Sequence, residues 1–171
     1  MDYFKLAIKS GLDEYYEILK RDLDTLTPEE LIWKPKMHSN NITFLVWHMG
    51  LVEDWLVNVV LSDNEKIWIT DKYYEHFPDL KNKRGFGFSQ EELDEFPDMN
   101  IEWLINYYDA VRDSTNNLLE KITAKDLSLK YTFRKNNKVT GYYIVGRLVT
   151  ELSQHLGQIS YIRGMIRGLN K

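Results

Sequence analysis

Four stretches of this chain repeat apolar residues at steps of three and four, and this spacing constrains the fold more than any other feature. In an α-helix it gathers the apolar side chains onto one face. The stretches cover residues 2–24, 40–61, 100–122 and 140–168. No convincing hairpin signal is present, although residues 131–133 suit an extended conformation. We therefore predict an all-α fold, a four-helix bundle that forms a single domain over residues 1–171.

A long connection, residues 62–98, joins the second and third stretches. Glycine and proline interrupt it, but its many aromatic residues predict that it is partly ordered and folds back over the body. Ser89 and Glu92 have the spacing of a capping box, which predicts one short helix inside the connection. Thr27 and Glu30 have the same spacing after the first long helix. Whether the connection acts as a lid stays open.

Charge and composition exclude several classes of partner and site. The chain has 22 Lys and Arg against 26 Asp and Glu, a net charge of −4, so we expect no nucleic-acid partner. It has no cysteine, which excludes disulfides and thiolate metal sites and suits a cytoplasmic location. The weakly charged residues 40–61 contain His48, Glu53 and Asp54, so we expect a buried core helix and no membrane span. We assign Glu53 and Asp54 to a polar face, because they lie well round the helix from His48.

Three ionisable residues fall within the apolar stripes. His48 lies in the second helix, and Glu151 and His155 lie one turn apart in the fourth. Packing of these two helices would bring the three side chains together as a divalent-metal site, with ligands that suit zinc, nickel or iron(II). Alternatively, the histidines are core residues bonded to carbonyl or tyrosine oxygens. Gln158 is a candidate to orient a ligand or contact substrate at the mouth of the site.

Short motifs add a resemblance to a known family. They are Leu-Ile-Trp-Lys-Pro at 31–35, Asn-Ile-Thr-Phe-Leu-Val-Trp-His-Met at 41–49 and His-Leu-Gly-Gln-Ile at 155–159. In this order the chain resembles the DinB/YfiT-like superfamily of metalloenzymes, which bind a divalent metal through three histidines. His48 matches the first of these ligands and His155 the last. Position 151 departs from the pattern, because Glu151 stands where the family has histidine. This change either keeps the site with an altered metal preference or marks a member without metal.

The resemblance implies a metal-dependent enzyme with hydrolase or thiol-transfer chemistry. It implies zinc or nickel before iron or manganese, a small-molecule substrate such as a low-molecular-weight thiol, and a homodimer as one option. The catalytic residue is not identified by the sequence. The competing hypothesis is a non-catalytic, stress-associated bundle with a degenerate site, which binds a small molecule or itself. His38 and His76 lie in connections and are expected at the surface.

Overall fold

The computed structural model describes residues 3–168, and most of them are helical. The long helices in this range are α1 (Tyr3–Leu23), α3 (Ile42–Asp54), α6 (Ile101–Lys121) and α8 (Gly141–Arg167). The short helices are α2 (Pro28–Ile32), α4 (Ile67–Thr70), α5 (Gln90–Asp94) and α7 (Ala124–Ser128). The prediction of an all-α fold is confirmed. Residues 1–2 and 169–171, which the predicted domain includes, lie outside the described range.

A small hairpin interrupts the helical fold, and the sequence interpretation missed it. Strand β1 (Lys130–Thr132) pairs antiparallel with β2 (Lys138–Thr140), and Tyr131 lies opposite Val139. The turn between the strands has positive φ at Lys135 and Asn136. No Asn-Gly or Asp-Gly pair marks this turn, so the usual sequence signal for a hairpin is missing.

Side-chain caps set where the helices begin. The side chain of Asn41 accepts a hydrogen bond from the backbone N–H of Phe44 at 2.8 Å, which places the start of α3 as predicted. Capping boxes open α2 at Thr27 and α5 at Ser89, also as predicted. A third capping box, at Thr123, opens α7. These bonds span three residues, so the sequence alone can specify them.

The four long helices pack around one core in which α3 is the most buried element. Helix α1 contacts α6 and α8, and α3 contacts the same two helices. All 13 residues of α3 are buried. The helix continues through a π-helical segment (Trp55–Leu61). Residues 42–61 are long and apolar enough to cross a membrane, but 89% of that stretch is covered by the rest of the protein. It is the buried core helix that the sequence predicted.

The assignment of Glu53 and Asp54 to a polar face was wrong, because both residues are fully buried. Glu53 Oε1 accepts hydrogen bonds from Arg112 at 2.8 Å and from the Thr115 hydroxyl at 2.6 Å. Asp54 accepts bonds from the Asn58 amide and from the Tyr107 hydroxyl. Buried carboxylates need such partners. Here α6 supplies the partners, a guanidinium and two hydroxyls.

The connection between α3 and α6 is folded onto the body, as predicted. Asp54 accepts hydrogen bonds from the backbone N–H groups of Ile67 and Trp68, both at 3.0 Å, which fixes the start of α4. Single turns of 3₁₀-helix follow at Tyr73–His76 and Pro78–Leu80. Further along, Phe88 packs edge-on against Trp47 of α3. The connection therefore forms part of the wall around α3.

Candidate metal centre

His48, Glu151 and His155 converge between α3 and α8. One donor atom from each of the three lies within 4.8 Å of the other two. The Nε2 atom of His48 is 3.5 Å from Glu151 Oε1, and the Nε2 atom of His155 is 3.3 Å from the same oxygen. The structure thus brings together the three residues that the sequence singled out, from positions about one hundred residues apart.

Helix packing produces this convergence. Helix α8 lies against α3, and Glu151 and His155 are four residues apart, so their side chains project from one face of α8. His48 lies on α3, opposite that face, and its ring meets the His155 ring edge-on with centroids 4.5 Å apart. The side chains of His48 and Glu151 are 8% and 7% exposed, whereas that of His155 is 17% exposed. Solvent therefore reaches the cluster on the His155 side.

The electrostatics of the cluster favour an ionised carboxylate. Hydrogen bonds with His155 and His48 hold the pKa of Glu151 well below its usual range, and they outweigh the effect of burial. Burial lowers the pKa of His155, but its hydrogen bonds with Glu151 and Gln158 outweigh this, so the pKa is raised. A carboxylate with this preference for the charged form is a suitable ligand for a cation.

Gln158 orients the ring of His155. Its Oε1 atom lies 2.8 Å from His155 Nδ1. The amide oxygen accepts a hydrogen bond, so this contact assigns a proton to Nδ1. Nε2, which is hydrogen-bonded to Glu151 in the metal-free cluster, is then the nitrogen that would bind a metal after losing its own proton. The Nε2 atom is the one that faces Glu151. Gln158 therefore has the position expected of a residue that orients a metal ligand.

The donor set fits a divalent metal ion. Ligand bonds of about 2.0–2.2 Å in a tetrahedral site place neighbouring donors roughly 3.3–3.5 Å apart, close to the two separations seen here. Nε2 is the His48 nitrogen that faces Glu151, whereas Nδ1 lies on the side of Gly85 and has no hydrogen-bond partner within residues 3–168. Two imidazoles and one carboxylate match zinc, nickel and iron(II) chemistry.

The sequence interpretation missed two neighbours of the cluster. Arg147, one turn before Glu151, forms an ion pair with the second carboxylate oxygen, Oε2. The spacing of four residues could have indicated this pair. Gly85, in the connection, is buried against His48, and a Cβ atom built on it would lie 2.7 Å from His48 Nδ1. No local sequence signal relates residues 37 positions apart.

The remaining candidates lie away from the cluster. His38 and His76 are exposed, as expected, and the His76 ring packs edge-on against Trp103. The hydrogen bonds of Glu53 go to α6, and those of Asp54 go to Asn58, α4 and α6. The catalytic residue stays unassigned.

Comparisons with known proteins agree with this fold. The profile of the DinB superfamily matches residues 12–159. A solved structure, described as the crystal structure of a conserved protein from Enterococcus faecalis, superposes with a TM-score of 0.84 and is 22% identical, covering 95% of this chain and 96% of that one. At this identity the likeness concerns the fold alone. A search of curated proteins finds no match.

Fold and site together define an all-α protein with a His-Glu-His group that could hold a metal ion between two core helices. The matched profile covers most of this sequence, well beyond the segments at 31–35, 41–49 and 155–159. The chain belongs to the DinB superfamily, which confirms the resemblance seen in the sequence.

Proposed function

We propose that this protein is a divalent-metal-dependent enzyme in which His48, Glu151 and His155 hold the metal ion. The observation that carries the proposal is the convergence of the three donors, with Glu151 Oε1 at 3.3 Å and 3.5 Å from the two imidazoles. Membership of the DinB superfamily supports it. Zinc or nickel suits two imidazoles and one carboxylate, and iron or manganese is the alternative.

The reaction we propose is hydrolysis, or transfer of a low-molecular-weight thiol to a small molecule. A bound divalent ion supplies Lewis-acid chemistry for either reaction. The protein contributes the rest: Gln158 fixes the ring of His155, and Arg147 balances the charge of Glu151. The buried side of the cluster, at His48, keeps water from the ligands on one flank.

Metal content tests the proposal directly. Tag-free protein is analysed by plasma mass spectrometry before and after loading with Zn²⁺, Ni²⁺, Mn²⁺ or Fe²⁺. We expect about one equivalent in the parent protein and none in His155→Ala. The matched control is His76→Ala, which removes an exposed histidine outside the cluster and should keep the metal. Metal should raise the melting temperature of the parent and of the control only, because it binds the native state.

Absence of metal from the loaded parent protein would overturn the proposal. Equal metal content in the two histidine variants would do the same, because the metal would then lie elsewhere. A positive result justifies a screen of thiol-transfer and hydrolysis substrates with the loaded protein.

One observation favours a second candidate, a non-catalytic bundle that holds no metal. Arg147 already pairs with Glu151, so the buried carboxylate has a cation of its own. The variant Arg147→Gln separates the two functions. If a metal ion belongs in the cluster, removal of the competing cation should tighten metal binding. If Arg147 replaces the metal, the variant should only lose stability, and zinc should not restore it.

A further inference from the structure

A groove lies between the loop before α3 and the C-terminal half of α8. Its volume is about 590 Å³, within the range of small-molecule sites. Its lining includes Lys36, His38, Leu45, Gln158, Ile162 and Met165. Of these residues the sequence indicated only Gln158, as a candidate substrate contact at the mouth of the site, and none of the three proposed metal ligands lines the groove.

The groove carries a positive charge at Lys36, in a protein with an excess of acidic residues. Its lining includes Lys36 and His38 but no aspartate or glutamate, although the chain has a net charge of −4. Lys36 makes no ion pair within the part of the chain that the structure describes. Asp94 is outside the groove lining; it interacts electrostatically with His38, and its carboxylate forms an ion pair with Lys34 at 2.9 Å. The ammonium group of Lys36 is therefore available to a ligand's anionic group.

The opposite wall of the groove is apolar. Leu45 and Ile162 form its buried part, and Met165 and Tyr161 are 41% and 70% exposed at its rim. Large apolar side chains exposed beside a groove favour a ligand that covers them. The groove thus offers a cation at one wall and an apolar surface at the other.

Gln158 joins the groove to the metal centre. Its side chain lines the groove and contacts His155 Nδ1 at 2.8 Å. His155 is also the most exposed of the three candidate ligands. A molecule in the groove would therefore approach the cluster from the side that solvent reaches.

We propose that this groove binds a small molecule with an anionic group and an apolar body, and that it leads this molecule to the metal centre. The anionic group lies at Lys36, and the apolar body lies against Ile162 and Met165. The role as a substrate site rests on the proposed function, whereas the binding of an amphipathic anion does not.

A matched pair of fluorescent probes tests the binding. Anilinonaphthalene sulfonate is an amphipathic anion, and N-phenylnaphthylamine is its analogue without the sulfonate. Both are titrated into metal-free, folded protein. We expect saturable binding of about one sulfonate probe per chain and weaker binding of the neutral one. Lys36→Gln should weaken sulfonate binding roughly three- to tenfold and leave the neutral probe unchanged.

Two further variants locate the site. Met165→Glu places a carboxylate on the apolar wall and should weaken the sulfonate probe more than Lys36→Gln does. Lys130→Gln, which removes an exposed lysine near the opposite end of α8, roughly 30 Å away along the helix, should change nothing. Equal effects of the two lysine variants would overturn the proposal, and so would equal affinity for the two probes or no saturable binding.

The route to the metal centre has its own measurement. Sulfonate probe bound in the groove should slow the removal of zinc by a chelator, because Gln158 and His155 lie at the same opening. An unchanged rate at saturating probe would overturn the route. The probe titrations use metal-free protein, so the groove is tested even where the metal proposal fails.

Discussion

Gly85 is the contact between the long connection and the candidate metal centre, and its replacement by alanine makes a sharp prediction. The residue is buried and has φ +71°, a backbone conformation that side chains other than glycine rarely adopt. A Cβ atom there would lie 2.7 Å from His48 Nδ1 and 3.5 Å from Leu51 Cδ2. Gly87 offers a matched control, because it has φ +78° but no atom within 4 Å of its Cβ position.

The two substitutions share one cost and differ in another. Placing alanine at positive φ costs roughly 1–2 kcal/mol at either site. At Gly85 the new methyl group also lies about 0.8 Å inside an ordinary contact distance of about 3.5 Å, so the His48 ring or the loop has to move. Overpacking of this kind costs about 1–3 kcal/mol. For a chain of this length we expect the melting temperature of Gly85→Ala to fall roughly 2–12 °C further than that of Gly87→Ala.

Calorimetry of both variants without metal measures this difference, and zinc titration measures its effect on the site. A displaced His48 ring should weaken zinc binding roughly 10- to 100-fold in Gly85→Ala, while Gly87→Ala should bind zinc as the parent protein does. Equal melting temperatures together with equal zinc affinities would show that the loop does not press on His48, and the reasoning would fail.

Three further predictions concern charged groups away from the cluster. Arg112→Met should lower the free energy of unfolding by about 3–5 kcal/mol in urea denaturation, because it leaves Glu53 buried without its cation. The double variant Arg112→Met with Glu53→Gln should recover part of this loss. If it recovers none, the stabilising role of the ion pair is contradicted. Asp54→Asn should reduce hydrogen-exchange protection of the first amides of α4, since one amide oxygen cannot replace two carboxylate oxygens; unchanged protection would count against this anchor. The hydrogen bond with Arg167 lowers the pKa of Glu30 from 4.5 to about 2. Because the folded state depresses this pKa, the stability that the pair contributes is present above about pH 4.5 and is lost as the pH falls toward 2. The melting temperature of Glu30→Gln should therefore lie below that of the parent at pH 7 and approach it at low pH. A difference in melting temperature that is the same at every pH would refute the stabilising role of the Glu30–Arg167 pair.

The long helices and their starting points could be predicted because their signals are local. The Asn41 cap and the Thr27 and Ser89 capping boxes join atoms three residues apart, and apolar spacing is read within one or two turns. The hairpin at residues 130–140 could not, because its turn lacks the usual residues.

The sequence could predict which three residues form the candidate site, but not what surrounds them. The positions of His48, Glu151 and His155 within apolar stripes, together with the family resemblance, were enough to select them. Spacing says nothing about Arg147 as the competing cation or about Gly85 as the contact on His48. Nor does it indicate that the loop before α3 and the end of α8 enclose a groove.

Glu53 and Asp54 show which properties local sequence determines and which depend on tertiary structure. By itself the sequence determined that this segment is helical and where it begins, because those properties depend on bonds within a turn. Whether a carboxylate on that helix faces water or the core depends on what packs against it. Here Arg112 and Tyr107, more than fifty residues away in sequence, donate hydrogen bonds to the two carboxylates and so offset the cost of burying them. The same long-range packing brings α3 against α8 and thereby forms the candidate metal centre.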